Sequence, residues 1–309
     1  MHKRGGPEAL VFEEAPVPQI GPGDALIKVH AAGTTPTEFT WSSTFSTKDK
    51  IDRLPIIPAF EVAGVVEKVA PNVSELAKGD AVYGLLDFWR DGAAAEFVAV
   101  RASEMAFKPE SLDFVQSAAI PLSGLTAWQA LFEHANLSQG SRVLIHGAGG
   151  GVGTFAVQMA KWKGAHVIAT CSNEKTPLVT ELGAEAVIDY TRTKFDKVVG
   201  GMDVVLDTVG GDTLERSWGV LRKGGVLVSI VDDVPEARAT AQGVRGVSML
   251  VHPSRSHLNE ITQLVDLGKI RPIVSDVFPL SEARVAYQRG LEGHNTGKTV
   301  LKVESVESS

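Results

Sequence analysis

The chain has 309 residues, a formal net charge of −7 and no run of basic residues, which argues against nucleic acid as its main partner. Hydrophobic residues make up 44% and charged residues 22%, as in ordinary globular proteins, and the length suggests two domains. No apolar stretch reaches the ~20 residues of a membrane-spanning helix, and the N-terminus lacks the apolar segment of a secretory signal. With one cysteine, Cys171, the chain can form no intramolecular disulfide, so we expect a reducing compartment, the cytoplasm.

The first hundred residues consist of short apolar segments separated by glycine and proline. The predicted strands are ALIKVHAAG (25–33), EVAGVVEKVA (61–70), GDAVYGL (79–85) and AAAEFVAV (93–100). Many short strands with turn residues between them are typical of a β-barrel. Residues 33–58 are polar, aromatic and irregular, and a loop of that length in a compact domain is usually functional or mobile.

After residue 111 the pattern changes to apolar strands that alternate with amphipathic helices. The predicted strands are 142–146, 166–170, 186–189, 203–207, 225–230 and 246–251, and the predicted helices are 111–133, 152–163, 174–182, 212–221 and 255–267. This alternation predicts a parallel, doubly wound sheet. Residues 277–303 predict a further helix and one strand, which could return to pair with the first domain.

The segment HGAGGGVG, residues 146–153, joins a predicted strand to a predicted helix. It contains the A-x-G-x-x-G form of the dinucleotide-binding fingerprint. Glycine allows a tight turn, close approach of the backbone to a pyrophosphate and close packing of the next helix, whose free N–H groups attract phosphate. We therefore predict that the cofactor is bound by Gly149, Gly150, Gly151, Val152 and Gly153.

The residues after the second strand of this domain indicate which dinucleotide is bound. A chain that binds NAD(H) has Asp or Glu about 20 residues past the fingerprint, where the carboxylate binds the ribose hydroxyls. Here Ser172 and Asn173 occupy that place, leaving room for a 2′-phosphate, and Lys175 can supply positive charge to it. The pattern favours NADP(H) over NAD(H), although a helix-capping Ser172 and a solvated Lys175 would also fit it.

Six segments spread over nearly the whole chain resemble one known family. They are GGPEAL (5–10), VPQIGPGDALIKVHAAG (17–33), AAIPLSGLTAWQAL (118–131), VLIHGAGGGVGTFAVQMAKWKGAHVIAT (143–170), DVVLDTVGG (203–211) and GKTVLKV (297–303). The chain resembles the zinc-independent quinone oxidoreductase branch of the medium-chain dehydrogenase/reductase superfamily. The resemblance implies an α/β protein, with a GroES-like β-barrel catalytic domain (residues 1–113 with 272–309) and a doubly wound Rossmann cofactor domain (residues 114–271).

The resemblance also implies roles for individual residues. It places nucleotide and substrate in a cleft between the domains and implies a homodimer. Thr126 would contact the nicotinamide end of the cofactor, Tyr190 would lie near the adenosine phosphate, and Val209, Gly210 and Ile230 would lie along the cofactor. Each of these residues also has a purely structural interpretation, as a helix hydroxyl, a rim aromatic or strand-end packing.

Two positions argue against a catalytic metal. Zinc-dependent members of the superfamily bind the metal with a cysteine after the AAG strand and a histidine in a Gly-His-Glu segment. Here these segments read AAGTTPTE and PAFEVAG, so Thr34 or its neighbour replaces the cysteine and Phe60 replaces the histidine, while Glu61 is retained. A four-cysteine structural zinc site is impossible with one cysteine. We expect no metal, and we expect the eight scattered histidines to be surface or capping residues.

Without a Lewis acid, simple alcohol oxidation is not favoured. Quinones and α,β-unsaturated carbonyls can accept hydride without a metal, because the negative charge spreads onto an oxygen that a few hydrogen-bond donors can stabilise. A dry apolar slot must also orient the acceptor. The slot candidates, which core or lid packing would equally explain, are Phe39, Trp41, Phe60, Phe88 and Trp89. The candidate donors are Thr35, Thr34 and Ser42.

One position departs from the family pattern. Many relatives carry GVNP followed closely by an acid, whereas this chain reads GTTPTE, with Thr35 at the asparagine position and Glu38 as the acid. We predict an NADPH-dependent, metal-free reductase of quinones or α,β-unsaturated carbonyls. The alternatives are an NADPH-dependent reductase of other activated carbonyls and an NADPH-binding sensor or scaffold with little turnover.

Overall fold

The computed structural model describes residues 1–293 and 295–303. His294 and residues 304–309, which the sequence assigns to the catalytic domain, lie outside the described residues. The strands are β1 (Asp24–Gly33), β2 (Glu61–Val69), β3 (Ala81–Leu85), β4 (Phe97–Arg101), β5 (Ala106–Phe107), β6 (Arg142–Ile145), β7 (His166–Cys171), β8 (Ala186–Asp189), β9 (Met202–Asp207), β10 (Leu221–Ser229), β11 (Arg245–Ser248), β12 (Val274–Pro279) and β13 (Lys298–Lys302). The helices are α1 (Ser42–Phe45), α2 (Phe114–Ala118), α3 (Pro121–Trp128), α4 (Gly151–Trp162), α5 (Thr176–Glu181), α6 (Gly211–Ser217), α7 (Glu236–Gln242), α8 (Arg255–Asp266) and α9 (Ala283–Leu291).

The chain divides into two compact units. The first comprises Met1–Leu122, His252–Gly268 and the described part of Pro272–Ser309, and the second comprises Ser123–Val251 and Lys269–Arg271. Among the described residues, no helix is both long and apolar enough to cross a membrane.

The first unit contains a β-sheet built around β1. The strand order is β12-β13-β1-β2-β3-β5, and β4 also pairs with β1. β1 is long enough to pair with β4 through Asp24–Lys28 and with β13 through Ala31–Gly33. The predicted barrel-like catalytic domain is confirmed, and so is the return of the tail strand to pair with it.

The second unit is a parallel sheet covered by helices. Its strand order is β11-β10-β9-β6-β7-β8, and each described pair of neighbours is parallel. The strands are largely buried, and Leu144, Val205 and Leu227 lie in one apolar core with Trp218. This is the order of a doubly wound Rossmann sheet, so the predicted fold class is confirmed.

The domain boundaries differ from the predicted ones at residues 114–122 and 252–268, which belong to the first unit. Helix α8 is held there by the Tyr83 hydroxyl, which donates to the Leu258 carbonyl at 2.9 Å, and by Arg255, which donates to the Ala102 carbonyl at 2.6 Å. An amphipathic pattern shows that one helix face is buried but does not show against which part of the chain. That is why the sequence assigned this helix to the wrong domain.

The single helix predicted over 111–133 is divided. Asp113 and Gln116 form a capping box at the start of α2, which ends at Ala118, and α3 begins at Pro121. Proline has no N–H to continue the preceding helix, but it is well tolerated in a first turn. A π-helical segment, Gln129–His134, then continues α3.

Candidate functional site

The structure places every predicted cofactor residue in the second unit and every predicted substrate residue in the first. Within the second unit, the glycine turn, Ser172, Tyr190, Val209 and Ile230 all follow the carboxyl ends of parallel strands. Doubly wound sheets bind their ligands at this edge. Thr126 lies in α3 and is buried.

The glycine turn has no room for a side chain at Gly153. A Cβ atom added to Gly153 would lie 2.3 Å from the Gly147 carbonyl oxygen and 2.6 Å from the Ala148 Cα. Gly150 precedes the first residue of α4, and no side chain caps the helix there. The first N–H groups of a twelve-residue helix are therefore left for another acceptor, and the turn fits a nucleotide pyrophosphate.

Ser172 and Lys175 lie beside this turn. Ser172 is half-buried and precedes a short 3-10 turn, yet its hydroxyl makes no capping hydrogen bond. The alkyl chain of Lys175 packs over Gly149, where an added Cβ would lie 2.5 Å from the Lys175 Cδ. Burial lowers the pKa of Lys175. The capping interpretation of Ser172 is therefore wrong, and Lys175 is half-buried rather than fully solvated.

A polar cavity of about 430 Å³ lies next to the end of β8. Its lining includes Asn173, which was predicted to bind the cofactor, and Arg192, which was not. Tyr190 is 62% exposed at the start of the same turn. Arg192 is two residues from Tyr190 in IDYTR, and that proximity was the only sequence signal for it.

The loops that carry Val209, Gly210 and Ile230 are organised by Asp207, which sequence reasoning missed. The Asp207 carboxylate is buried and accepts from the backbone N–H of Val209 at 3.1 Å and of Gly210 at 3.0 Å. Its second oxygen accepts from the Ser229 hydroxyl at 2.9 Å, which connects the end of β9 to the end of β10. Val209 is 54% exposed, and its contact with the cofactor stays a prediction.

His146 is completely buried, so the expectation that the histidines are surface or capping residues is wrong for it. The Ser217 hydroxyl donates to the Thr213 carbonyl, so His146 Nε2 must donate to Ser217 and Nδ1 must accept from Thr170, both at 3.0 Å. Burial lowers the pKa of His146 to about 3. This neutral histidine supports the glycine turn structurally.

In the first unit, three of the predicted slot residues form an aromatic cluster. The ring centroids of Trp41 and Phe88 are 5.2 Å apart, those of Phe60 and Phe88 are 5.2 Å apart, and those of Trp41 and Phe60 are 6.2 Å apart. Phe39 packs instead 4.8 Å from the ring of Tyr287, and Trp89 is half-buried.

Arg53, which sequence reasoning also missed, holds the loops of this cluster together. Its guanidinium donates to the Ser43 carbonyl at 2.8 Å and to the Phe88 carbonyl at 3.2 Å. The irregular segment that contains Trp41 is thereby fastened to the segment that contains Phe88. No local pattern in the sequence indicated this contact.

The three candidate donors differ in what their hydroxyls do. Thr34 is buried and donates its proton to the Thr299 carbonyl at 3.1 Å, so it is the weaker candidate. Thr35 is half-buried, and its Oγ1 accepts from Lys298 Nζ at 3.2 Å. Ser42 is exposed at the start of α1.

Thr35 contacts a buried ion pair. The side chains of Lys298 and Glu61 are 7% and 1% exposed and contact each other directly. The second Glu61 oxygen accepts from the Leu122 N–H at 2.9 Å. In the sequence, Glu61 is the retained acid of PAFEVAG, and Lys298 belongs to the family segment GKTVLKV. Neither observation indicated that the two residues form a pair.

The donor set at this place does not fit zinc. Thr34 and Phe60 stand where zinc-dependent members have ligands, and the first has a committed hydroxyl while the second has no donor atom. The carboxylate of Glu61 is bound on both oxygens. Within residues 1–293 and 295–303, no three His, Cys, Asp or Glu side chains cluster closely enough to bind a metal.

Glu38 is buried close to this pair. Its Oε1 accepts from the Tyr287 hydroxyl and from the Ala59 N–H, and its Oε2 has no partner among the described residues. Burial raises the pKa of Glu38 to about 7. A carboxyl in this state carries a proton at neutral pH in about half of the molecules.

Comparison with known proteins identifies the family. An alcohol dehydrogenase GroES-like domain matches residues 21–110, and a zinc-binding dehydrogenase domain matches residues 182–301. The mitochondrial NAD(P)H oxidoreductase RTN4IP1 of Mus musculus is 35% identical, with 91% of this chain and 82% of the relative covered. The chloroplastic NADPH-dependent alkenal/one oxidoreductase of Arabidopsis thaliana is 34% identical, with 96% and 77% covered.

A solved structure is similar over the same length. The quinone oxidoreductase from Coxiella burnetii superposes with a TM-score of 0.90 at 33% identity, and 98% of each chain is covered. The chain belongs to the medium-chain dehydrogenase/reductase superfamily, in its quinone oxidoreductase branch. It is therefore an oxidoreductase of a family whose named members use nicotinamide nucleotides.

Proposed function

We propose that this protein is an NADPH-dependent reductase of quinones or α,β-unsaturated carbonyl compounds. The observation that carries the proposal is the combination of an intact nucleotide turn with Thr34 and Phe60 at the zinc-ligand positions. A site with this donor set has no Lewis acid for alkoxide chemistry, and it suits acceptors that stabilise their own negative charge. Relatives named for quinone and alkenal/one reduction support the same chemistry.

The cofactor residues fit NADP(H). Ser172 has an uncommitted hydroxyl, Lys175 lies over Gly149, and Asn173 and Arg192 line the adjoining polar cavity. A 2′-phosphate carries two negative charges and several acceptor oxygens, which two cations and a hydroxyl would bind better than they bind a ribose hydroxyl. The N-terminus of α4 would bind the pyrophosphate.

When bound, NADPH supplies a hydride, and with one proton from water the acceptor becomes a hydroquinone or a saturated carbonyl. Trp41 is half-buried and packs on the buried rings of Phe60 and Phe88, so it would present the apolar face that aligns a flat acceptor and excludes water. The Thr35 hydroxyl would donate to the acceptor oxygen on which charge accumulates. Thr126, Val209, Gly210 and Ile230 would contact the cofactor.

The test is a steady-state assay of NADPH oxidation, with a panel of small quinones, a panel of enones and a panel of simple ketones and aldehydes. We expect turnover with at least one quinone or enone and none with the simple carbonyls. Turnover confined to the simple carbonyls would support the alternative of general carbonyl reduction. Tight NADPH binding with no turnover in any panel would overturn the proposal and favour a sensor or scaffold.

Cellular location and assembly stay predictions. We infer a cytoplasmic homodimer from the sequence, whereas the mouse and Arabidopsis relatives are named as mitochondrial and chloroplastic. Fractionation with an antibody against the native protein tests the location, and light scattering of the purified protein tests the dimer. An organellar signal or a monomeric mass would contradict the respective prediction.

A further inference from the structure

We propose that Lys298 is a positioning residue that orients the Thr35 hydroxyl as a hydrogen-bond donor toward the reacting oxygen of the acceptor. This inference rests on the proposed function, because it concerns how the same site stabilises the charge that develops during hydride transfer. It assigns a role in that reaction to a lysine that lies outside the predicted site.

The hydrogen-bonding capacity of the Lys298 ammonium is fully used. An ammonium has three N–H donors and no acceptor. The three acceptors are the Thr34 carbonyl oxygen at 2.9 Å, the Thr35 Oγ1 at 3.2 Å and a carboxylate oxygen of Glu61. Three donors with three acceptors hold the ammonium in one place.

This arrangement determines the direction of the Thr35 hydrogen bond. A hydroxyl carries one hydrogen and two lone pairs, and its hydrogen rotates to suit its surroundings. Because an ammonium can only donate, Thr35 Oγ1 must act as the acceptor and keeps its own hydrogen for another group. Within residues 1–293 and 295–303, the Thr35 hydroxyl donates no hydrogen bond, and its side chain is half-buried rather than enclosed.

The neighbouring threonine shows the contrast. The Thr34 hydroxyl donates to the Thr299 carbonyl, so its hydrogen is committed within the protein. Thr34 and Thr35 are adjacent in sequence and identical in chemistry, yet of their two hydroxyls only that of Thr35 accepts from the lysine. A donor that itself accepts from a charged group is polarised and becomes a stronger donor.

The pair also explains how a threonine can stand where many relatives have asparagine. A side-chain amide has N–H donors fixed in its plane, whereas a hydroxyl can point its hydrogen in several directions. Because Lys298 donates to the Thr35 oxygen from the buried side, the Thr35 hydrogen cannot point toward that side. Glu61, held by the Leu122 N–H, pairs with the buried lysine and fixes its position.

A double-mutant cycle tests this role in the full-length protein. The first change is Thr35→Val, which removes only the hydroxyl, with Thr35→Ser as the conservative variant. The second change is the pair Lys298→Met and Glu61→Gln, which removes the buried charges together and so leaves neither unpaired. Measured quantities are kcat and KM for the best acceptor, the NADPH dissociation constant and the midpoint of thermal unfolding.

We expect Thr35→Val to lower kcat by about 100-fold with little change in KM, as for the loss of a transition-state donor. Thr35→Ser should retain most of kcat. The paired change should lower kcat by about 10-fold when Thr35 is present, and by less than about 2-fold when Thr35→Val is already present. NADPH affinity should stay unchanged in all of these variants, because Thr35 and Lys298 lie in the first unit.

Equal losses from the paired change in both backgrounds would mean that Lys298 acts structurally, and this would overturn the inference. An unchanged kcat in Thr35→Val would overturn it as well. If the paired variant does not fold, Glu61→Gln alone loosens the lysine at constant size and should show the same dependence on Thr35. An inactive wild type would overturn the proposed function itself, whereas an active wild type with an additive cycle would overturn only the inference.

Discussion

The hydroxyl of Tyr287 donates to the carboxyl of Glu38, and both side chains are completely buried. Tyr287 belongs to α9, near the end of the chain, and Glu38 belongs to the 3-10 turn that follows Thr35. Burial raises the pKa of Glu38 to about 7, against the smaller opposing effects of Tyr287, the Ala59 N–H and Lys298, and with a further increase from Glu61. The folded state therefore holds this proton more tightly than the unfolded state.

Stability should depend on pH through Glu38. The folded pKa of Glu38 lies above the unfolded value of 4.5. The stabilisation that the protonated Glu38 gives the folded state is therefore fully present below pH 4.5 and is lost as pH rises through about 7. The whole shift corresponds to about 3 kcal/mol. Glu38→Gln mimics the protonated form, so its free energy of unfolding relative to wild type should increase between pH 5 and pH 8, as measured by urea unfolding.

A second carboxyl tests the same linkage. Burial, with the charge of Asp87, also raises the pKa of Glu104 to about 7. We expect Glu104→Gln to show a change with pH of the same sign and similar size as Glu38→Gln. A difference between Glu38→Gln and wild type that is constant with pH would show that Glu38 is ionised in the folded protein.

Gly153 should not tolerate any side chain. An added Cβ would approach the Gly147 carbonyl oxygen to 2.3 Å and the Ala148 Cα to 2.6 Å, and these backbone atoms cannot move without opening the turn. We predict that Gly153→Ala lowers NADPH affinity at least about 10-fold and destabilises the fold by about 1–3 kcal/mol. Fluorescence titration and urea unfolding measure the two effects.

Gly219→Ala serves as its control in the same unit, because no atom lies within 4 Å of the added Cβ there. That variant should bind NADPH as wild type does. Normal NADPH binding by Gly153→Ala would show that the turn is more adaptable than its packing indicates.

Lys175 should distinguish the two nicotinamide nucleotides. Loss of one charge-assisted hydrogen bond costs about 1.5–3 kcal/mol, which corresponds to roughly 10- to 100-fold in affinity. We predict that Lys175→Ala weakens NADPH by this amount and leaves NADH nearly unchanged. Titration of both nucleotides against intrinsic fluorescence measures this, with the exposed Lys223→Ala as a control that should change neither. Equal weakening of both nucleotides would place Lys175 at the pyrophosphate instead.

Ser217 should stabilise the fold because its hydroxyl forms a hydrogen bond with the buried ring of His146. The Ser217 hydroxyl is the acceptor for the Nε2 hydrogen of that buried ring, and Ser217→Ala would leave the donor unsatisfied. We predict a loss of about 1–3 kcal/mol in the free energy of unfolding. Thr213→Val, at a half-buried position one turn earlier in the same helix, keeps the carbonyl that accepts from Ser217 and should cost less. A neutral result for Ser217→Ala would mean that the ring finds another acceptor.

Local patterns in the sequence predicted much of the fold. Partly alternating apolar residues identified β1, a short apolar run identified β9, and the glycine spacing identified the turn before α4, because these features depend on neighbouring residues. Lys175 does pack on Gly149, and the roles of Ser172 and Lys175 in cofactor binding stay predictions. Elements that follow directly from the residue spacing of a strand or a helix can be predicted from one amino-acid sequence.

The missed features depend on contacts between distant residues. Lys298 and Thr35 are 263 positions apart, and no periodicity connects them. Arg53 reaches Phe88 across 35 positions, and α8 is buried against strands that a local pattern cannot specify. Burial of a polar residue such as His146 likewise depends on partners from other elements, here Thr170 and Ser217.

The pairing of β13 with β1 constrains the order in which a growing chain can fold. Synthesis runs from the N-terminus, so β1 leaves the ribosome long before β13 exists. The second unit, which is nearly continuous in sequence, has its six strands by Ser248 and can form its sheet first. The first unit must keep the flank of Ala31–Gly33 unpaired until residues 298–302 emerge, and sheet edges of this kind recruit other strands. A nascent chain stalled before β13 is therefore the form most in need of a chaperone.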